Sequence, residues 1–252
     1  MDNQELVSIV TPAYNSAAFI ADTMASVRQQ TYNNWEMIVV DDASQDNTCQ
    51  IVEQWARNDN RISLIKFAQN RGPAESRNAA IKAAKGRYIA FLDSDDMWLP
   101  QKLDEQIRFV RKHKCALSYT AYKKIDKDGN LISNTIEVPE IVTYKQLLST
   151  NVIACLTAMY DSKILGKVYM PDIPKRQDHC FWLNITKMGY AGYGLNEPLA
   201  LYRVRHNSVS NNKLKAAFYQ WKVYREVEGL PLCKSMNYFL KYAYHGYRKF
   251  TM

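Results

Sequence analysis

Through the first hundred residues, short β-rich runs alternate with stretches of helical spacing, and most of those runs end on a polar cluster. Residues 6–10 form the first run, broken at Thr11–Pro12 and followed by Asn15–Ser16, which suits a helix start. Across 17–30, Phe19, Ile20, Met24 and Val27 fall on one helical face. The run 35–40 ends in Asp41–Asp42. Asp46-Asn47-Thr48 then opens a helix with Ile51, Val52 and Trp55 inward. A strand at 61–67, an Ala-rich helix at 74–84 stopped by Gly86, and a strand at 87–92 complete the series. The last strand runs directly into Asp93-Ser94-Asp95-Asp96. Strands separated by helices make βαβ units, so the fold class is α/β with a mostly parallel sheet. Ligands bind beyond the carboxyl ends of such strands, where this chain places Thr11-Pro12-Ala13-Tyr14, Asp41-Asp42 and Asp93-Ser94-Asp95.

After Pro100 the spacing predicts a helix at 101–114 and strands at 116–125 and 131–138, joined by a turn at Asp128-Gly129-Asn130. A helix at 142–150 and a buried strand at 152–160 follow. The cluster Lys175-Arg176-Gln177-Asp178-His179 leads into an apolar helix at 181–188, and a strand at 199–204 feeds His206-Asn207-Ser208. Residues 1–212 read as one globular domain of two halves, 1–100 and 101–212. Residues 213–252 form two further helices, divided at Gly229-Leu230-Pro231.

Composition excludes several classes. No apolar run approaches the roughly 20 residues that span a bilayer, and the polar, acidic N-terminus is unlike a signal peptide, so a cytoplasmic protein is expected. Five dispersed cysteines form no CxxC pair or zinc spacing and read as reduced thiols. The net charge of +8 is concentrated at one end: residues 213–252 carry eight Lys/Arg, two Glu and ten aromatics. A nucleic-acid-binding protein is disfavoured, because the predicted site edge is acidic and repels phosphate unless a metal ion is bound. GxGxxG and GxxxxGK[ST] are both missing, which removes the main support for dinucleotide-binding and P-loop readings.

The acidic turn is the most informative motif. Three carboxylates within four residues repel one another, and a hard divalent cation, Mg²⁺ or Mn²⁺, gives them a reason to stay together. The bland alternative is a capped turn with Asp96 opening the next helix. Asn70-Arg71-Gly72-Pro73, with Arg77 beyond it, places basic groups at a helix start, where phosphate is favoured. Asp178 suits either an N-cap or a general base. His206 suits either a structural role or a metal or phosphate contact.

Taken together, these segments resemble glycosyltransferase family 2, the inverting nucleotide-sugar transferases of GT-A fold. The matching stretches are VSIVTPAYN (7–15), QTYNNWEMIVVDDASQDNT (30–48), NRGPAESRNAAIKAAKGRYIAFLDSDD (70–96), MWLPQKL (97–103), QDHCFWL (177–183) and PLALYRVRHNSVS (198–210). Within the family the chain is similar to the enzymes of bacterial surface-polysaccharide assembly, including teichuronic-acid and exopolysaccharide transferases. The resemblance implies that Pro12, Ala13, Tyr14 and Asp42 line a nucleobase pocket with Asp41 close by, and that Arg77 sits near the base or diphosphate. It further implies Asp93 at the ribose, Asp95 on Mn²⁺ or Mg²⁺, Asp178 as catalytic base, and His206 as a further metal contact supported by Tyr202 and Arg203. The expected donor is a nucleotide sugar, most commonly UDP-linked, and the expected acceptor a glycan or polyprenyl-linked oligosaccharide. Where the family often has Glu-Asp, this chain has Gln177-Asp178, so the neighbour of the base carries no charge. A non-catalytic nucleotide-sugar-binding protein of the same fold is the alternative.

In the 213–252 tail, Met236, Phe239, Leu240, Ala243, Tyr247 and Phe250 keep helical spacing, with Lys234, Lys241 and Arg248 recurring elsewhere on the wheel. Such a helix suits an anionic membrane surface at the inner face of the cell membrane. It suits equally well packing on the catalytic body or on a second subunit.

Overall fold

The alternation resolves into β1 (Val7–Ala13), α1 (Ile20–Arg28), β2 (Trp35–Asp41), α2 (Thr48–Asn58), β3 (Ile62–Lys66), α3 (Pro73–Ala83) and β4 (Tyr88–Phe91). In the computed structural model, which describes residues 5–204 and 213–251, the strands lie in the order β3-β2-β1-β4, all parallel. Successive residues enter opposite layers: Ile9, Met37, Val39 and Ala90 join one core with α1 and α2, while Val10, Ile38, Val40 and Phe91 join the other with α3. Burial on both faces explains why these runs are continuously apolar and do not alternate.

The second half extends the same sheet. Its elements are β5 (Met97–Trp98), α4 (Lys102–His113), β6 (Leu117–Ile125), β7 (Ile141–Val142), α5 (Tyr144–Ser149), β8 (Met159–Asp161), the short α6 (Ser162–Leu165), α7 (Gln177–Lys187) and β9 (Gly192–Arg203). From β4 the order continues β8-β6-β9-β5, with β7 paired to β9. The β4–β8, β6–β8, β5–β9 and β7–β9 pairs are antiparallel, so the sheet is mixed.

Four expectations need correction. The first strand does not break at Thr11–Pro12 but runs on to Ala13. Val10 and Pro12 both face the β4 side, where pairing stops at Val10–Phe91, so the missing proline N–H leaves no partner unsatisfied. Residues 131–138 make only isolated bridges, Leu131–Ile125 and Ile136–Tyr122, because the Asp126 carboxylate draws in the N–H groups of Asp128 and Asn130 and holds a turn. The strand expected at 152–160 shortens to Met159–Asp161. Thr157 bonds back to the Ala154 carbonyl, coiling 155–157 into a 3₁₀ turn whose Leu156 and Thr157 carbonyls accept from Trp98 and Gln106. Asp96 opens no helix; it leads into β5.

The C-terminal segment forms α8 (Lys213–Lys222), a five-residue π segment (Val223–Val227) and α9 (Leu232–Thr251), turning at Gly229 with φ +61°. It packs on the body: Val223 and Tyr224 are fully buried, and the Tyr224 hydroxyl donates to the Leu148 carbonyl at 2.6 Å. Glu228 accepts from Tyr144 at 2.5 Å and from Lys187 at 3.1 Å. On α9, Ser235, Tyr238, Phe239 and Tyr242 are covered, whereas Leu232, Met236, Leu240 and Tyr244 stand exposed four residues apart. The apolar stripe expected from the sequence is therefore divided between two faces. Among the described residues no helix is long and apolar enough to cross a membrane.

Lys102, wholly buried at the start of α4, is an unexpected core residue. Its ammonium donates to Gln106 Oε1 at 2.6 Å and lies 4.1 Å from the Trp98 ring centroid, with no carboxylate paired to it among the described residues. Burial lowers its pKa from 10.5 to about 7. Between those values the unfolded chain holds the extra proton, so this group makes stability rise with pH through that window, and its cost is full below pH 7. Lys102→Met should therefore raise Tm more at pH 6 than at pH 9, by about 3–5 °C. Thermal unfolding of both proteins at the two pH values checks this; an equal shift at both would show that Lys102 does not titrate there.

Candidate active site

The carboxyl ends of β1, β2 and β4 open into a cleft of about 1620 Å³. Connections from β1 and β4 leave in opposite directions across the sheet, which makes their junction a topological switch point, the usual ligand position in such folds. The cleft is also lined by the 174–178 segment and by Ala216, Tyr242, Ala243 and Gly246 of the C-terminal helices.

On the β1–β2 side, Pro12, Ala13, Tyr14 and Asp42 line the cleft. The Asp42 carboxylate accepts the backbone N–H groups of Arg71 (2.7 Å) and Gly72 (2.8 Å), and its own N–H donates to Ala13 at 2.8 Å. Gly72 has φ +87°, a conformation strained for any side chain, and this lets the loop fold back over Asp42 before Pro73 starts α3. Asp41 does not line the cleft. Consecutive residues at a strand end point to opposite sides, so Asp41 lies beneath, buried, accepting the Ser44 N–H at 3.2 Å.

The acidic turn separates its three carboxylates. Asp93 pairs with Arg77 at 2.5 Å. Arg77 is buried, which works against its charge, yet the neighbouring Asp93 more than offsets this and keeps the guanidinium protonated. Asp96 points inward and accepts the Arg203 backbone N–H at 2.8 Å; burial, then the charges of Asp95 and Asp93, push its pKa well up. Asp95 remains on the cleft wall. Beneath it Ser16 and Ser94 share a 2.7 Å hydrogen bond that ties the β1 and β4 loops together. Tyr202 also lines the cleft, its phenol pushed to about 12 by burial and by the same acidic residues.

Arg203 requires a correction. Its backbone reaches the cleft wall, but its guanidinium turns into the body, donating to the carbonyls of Asp95 (2.8 Å) and Lys127 (2.8 Å) and lying 4.9 Å from the Phe19 ring centroid. It is a positioning residue that fixes the Asp95–Asp96 turn. His206 lies outside the described residues.

Across the cleft, Asp178 sits in the first turn of α7, after Arg176 in left-handed conformation (φ +70°). It is not the helix cap; Asn151 Nδ2 lies 3.4 Å from its carboxylate. Gln177 lines the wall beside it. Cys155 lies between the two acidic groups: burial pushes its thiol well up, Arg77 lowers it, and the charges of Asp93 and Asp178 raise it. Burial thus favours its neutral thiol over the thiolate. His179 is fully buried, bonded to the Leu147 carbonyl at 2.8 Å, and burial lowers its pKa, so it anchors α7. Sequence reading singled out neither Asn151 nor Cys155, since isolated polar residues in an apolar stretch carry no spacing signal.

The donor set suits a hard cation. Asp93 and Asp95 offer only oxygen, and the mutual repulsion felt at Asp96 is what a cation would relieve. Among the described residues no three His, Cys, Asp or Glu converge into a ready metal cage, so a bound ion would complete its shell from substrate.

This mixed, mostly parallel sheet with an acid-lined cleft at its carboxyl edge is that of a GT-A fold. The family model for glycosyl transferase family 2 matches residues 8–184. The chain is 44% identical over 244 residues to Bacillus subtilis TuaG, a glycosyltransferase assigned to teichuronic acid biosynthesis, covering 97% of each protein. It is 37% identical over 245 residues to the Escherichia coli UDP-Glc:alpha-D-GlcNAc-diphosphoundecaprenol beta-1,3-glucosyltransferase WfgD, covering 97% of this chain and 94% of that one. The crystal structure of S. aureus TarS 1-349 with UDP-GlcNAc superposes with TM-score 0.69 at 22% identity, over 95% of this chain and 72% of that one. The chain belongs to glycosyltransferase family 2.

Proposed function

We propose that the chain transfers a sugar, with inversion, from a UDP-sugar to a polyprenyl-diphosphate-linked glycan during bacterial surface-polysaccharide synthesis. The observation that carries this reading is that Asp93, Asp95 and Asp178, from separate segments of the chain, line one cleft. Names of the related proteins support the donor and acceptor classes, since one acts from UDP-Glc on a diphosphoundecaprenol-linked sugar and the S. aureus structure holds UDP-GlcNAc. On this reading 1–100 is the donor half, 101–212 the acceptor half, and 213–252 closes the acceptor end of the cleft.

Pro12, Ala13, Tyr14 and Asp42 would receive the base, with Asp41 supporting Asp42 from beneath. Arg77 would orient Asp93 toward the ribose. Asp95, beside Asp93 and with His206 as a further contact, would hold Mn²⁺ or Mg²⁺, which when bound offsets the charge of the departing nucleoside diphosphate. Tyr202 would border the same phosphates. The Asp178 carboxylate accepts the proton of the acceptor hydroxyl as its oxygen bonds to the anomeric carbon. The bond from that carbon to the diphosphate oxygen breaks on the far side, and this single displacement inverts the centre. Beyond the cleft, the exposed stripe Leu232, Met236, Leu240 and Tyr244, on a helix with Lys234 and Lys241 and no acidic residue, suits an anionic bilayer carrying the acceptor. The enzyme would then sit at the inner face of the cell membrane.

Three outcomes follow from this reading. Asp178→Asn should lower kcat by about 10³-fold, near the usual worth of a positioned base, with UDP affinity kept within about twofold; more than a few per cent residual turnover removes Asp178 from the role. EDTA should stop transfer, and Asp95→Ala should abolish the Mn²⁺-dependent part of UDP binding measured by calorimetry; full activity in metal-free buffer excludes the metal assignment. Replacing Leu232, Met236 and Leu240 together by Gln should weaken sedimentation with phosphatidylglycerol vesicles by about tenfold while UDP affinity is unchanged. Equal vesicle binding by both proteins would assign that face to something other than lipid.

A further inference from the structure

We propose that Lys175 and Arg176 form a subsite for the phosphate that links the acceptor sugar to its carrier, with Tyr242 of α9 as the residue that positions Arg176. This rests on the polyprenyl-diphosphate reading of the acceptor.

The cleft carries cationic side chains on both walls, and they differ in what surrounds them. On the donor wall, the Arg77 guanidinium is ion-paired with Asp93 at 2.5 Å. On the opposite wall, Arg176 donates from Nη2 to the Tyr242 hydroxyl at 2.6 Å and lies 5.6 Å from the centroid of that ring. Both partners are neutral, and among the described residues no carboxylate stands within ion-pair distance of Arg176. Lys175 lies beside it, its ammonium 5.9 Å from the Tyr219 ring centroid. The Arg176 guanidinium is thus held against an aromatic residue of α9, with the Lys175 ammonium near one of α8. A guanidinium held in this way has further N–H donors in its plane, the geometry that receives phosphate oxygens.

Their position relative to the base determines which phosphate they meet. Lys175, Arg176 and Asp178 all line the cleft, and Arg176 precedes Asp178 by only two residues. An acceptor sugar whose hydroxyl approaches Asp178 would bring its own anomeric phosphate to the neighbouring cations. The donor diphosphate belongs instead to the Asp93–Asp95 wall. α9 connects this subsite to the carrier. Its covered face presents Tyr242 and Gly246 to the cleft, and its other face carries the exposed apolar stripe, so a lipid tail leaving the phosphate meets that helix first.

The test uses the full chain saturated with UDP and Mn²⁺. Two probes are titrated by calorimetry: N-acetylglucosamine 1-diphosphate esterified to a short alkyl alcohol, and the octyl glycoside of the same sugar. The wild-type protein should bind the ester about tenfold or more tightly than the glycoside. The double variant Lys175→Ala/Arg176→Ala should lose that preference while its affinities for the glycoside and for UDP stay within about twofold. Arg176→Lys should restore part of it, and Tyr242→Phe should weaken the ester alone by about threefold. The proposal is overturned if the wild type does not bind the ester or binds both probes alike, or if the double variant weakens UDP as much as the ester, which would move the cations to the donor site. Failure of the wild type to bind UDP at all would instead strike the donor reading, and the ester-to-glycoside ratio would still report on the subsite.

Discussion

Three carboxylates at the end of β4 repel one another, and much of the site is organised by how that repulsion is resolved. Each acid is treated differently. Asp93 is matched by the buried guanidinium of Arg77. Asp96 is withdrawn into the core, where the backbone N–H of Arg203 is offered to it. Asp95 remains at the cleft, its carbonyl gripped by the Arg203 side chain. One arginine therefore fixes two of the three acids, one through its backbone and one through its guanidinium. Because Arg203 closes β9 and the acids follow β4, this contact also ties the two halves of the sheet together at the point where the cleft opens.

The same economy governs the β1–β2 side of the cleft. β1 outlasts β4 on one side, and this unpaired end is where Pro12 can sit without leaving an orphaned ladder bond. It is also where backbone and ring surfaces face the cleft. Asp42 is held by two N–H groups of the 70–72 loop, so a group bound there meets an oriented carboxylate that need not reorganise first. Preorganisation of this sort draws on supporting residues: Gly72 for its φ, Asp41 beneath the turn, Ser16 and Ser94 tying the loops.

The α/β class and the edge that carries the cleft were legible because strands buried on both faces read as continuous apolar runs, and because Pro12, Asp42, Asp93 and Asp95 stand directly at or after the strand ends. What could not be read was side-chain direction. Asp41 and Asp42 are adjacent in the chain and lie on opposite sides of the strand end. Asp96 is indistinguishable from Asp95 in the motif but faces the core. Arg203 has the composition of an anion site, and its guanidinium is directed to backbone carbonyls. Strand limits failed where side chains bonded to local backbone, at Asp126 and Thr157, since such bonds leave no period in the sequence. Lys102 was hidden for a related reason: it reads as a surface lysine on an amphipathic helix, and only the packing of Trp98 and Gln106 around it shows that it is inside.

The basic tail packs on the body along one side and leaves an apolar stripe exposed on another. Helical spacing alone suits either packing on the body or contact with an apolar surface. On α9 the two demands fall on different faces, with Tyr238, Phe239 and Tyr242 covered and Leu232, Met236, Leu240 and Tyr244 exposed. A helix that only closed the cleft would have no need of an outer apolar stripe, because exposed Leu and Met lose stabilisation in water that polar residues would not lose. A helix that only touched lipid would have no need of Tyr242 on Arg176. The two faces together put cleft-lining residues and an exposed apolar stripe on a single helix, which on the proposed function would hold a lipid-anchored acceptor and the active site at a fixed relative height.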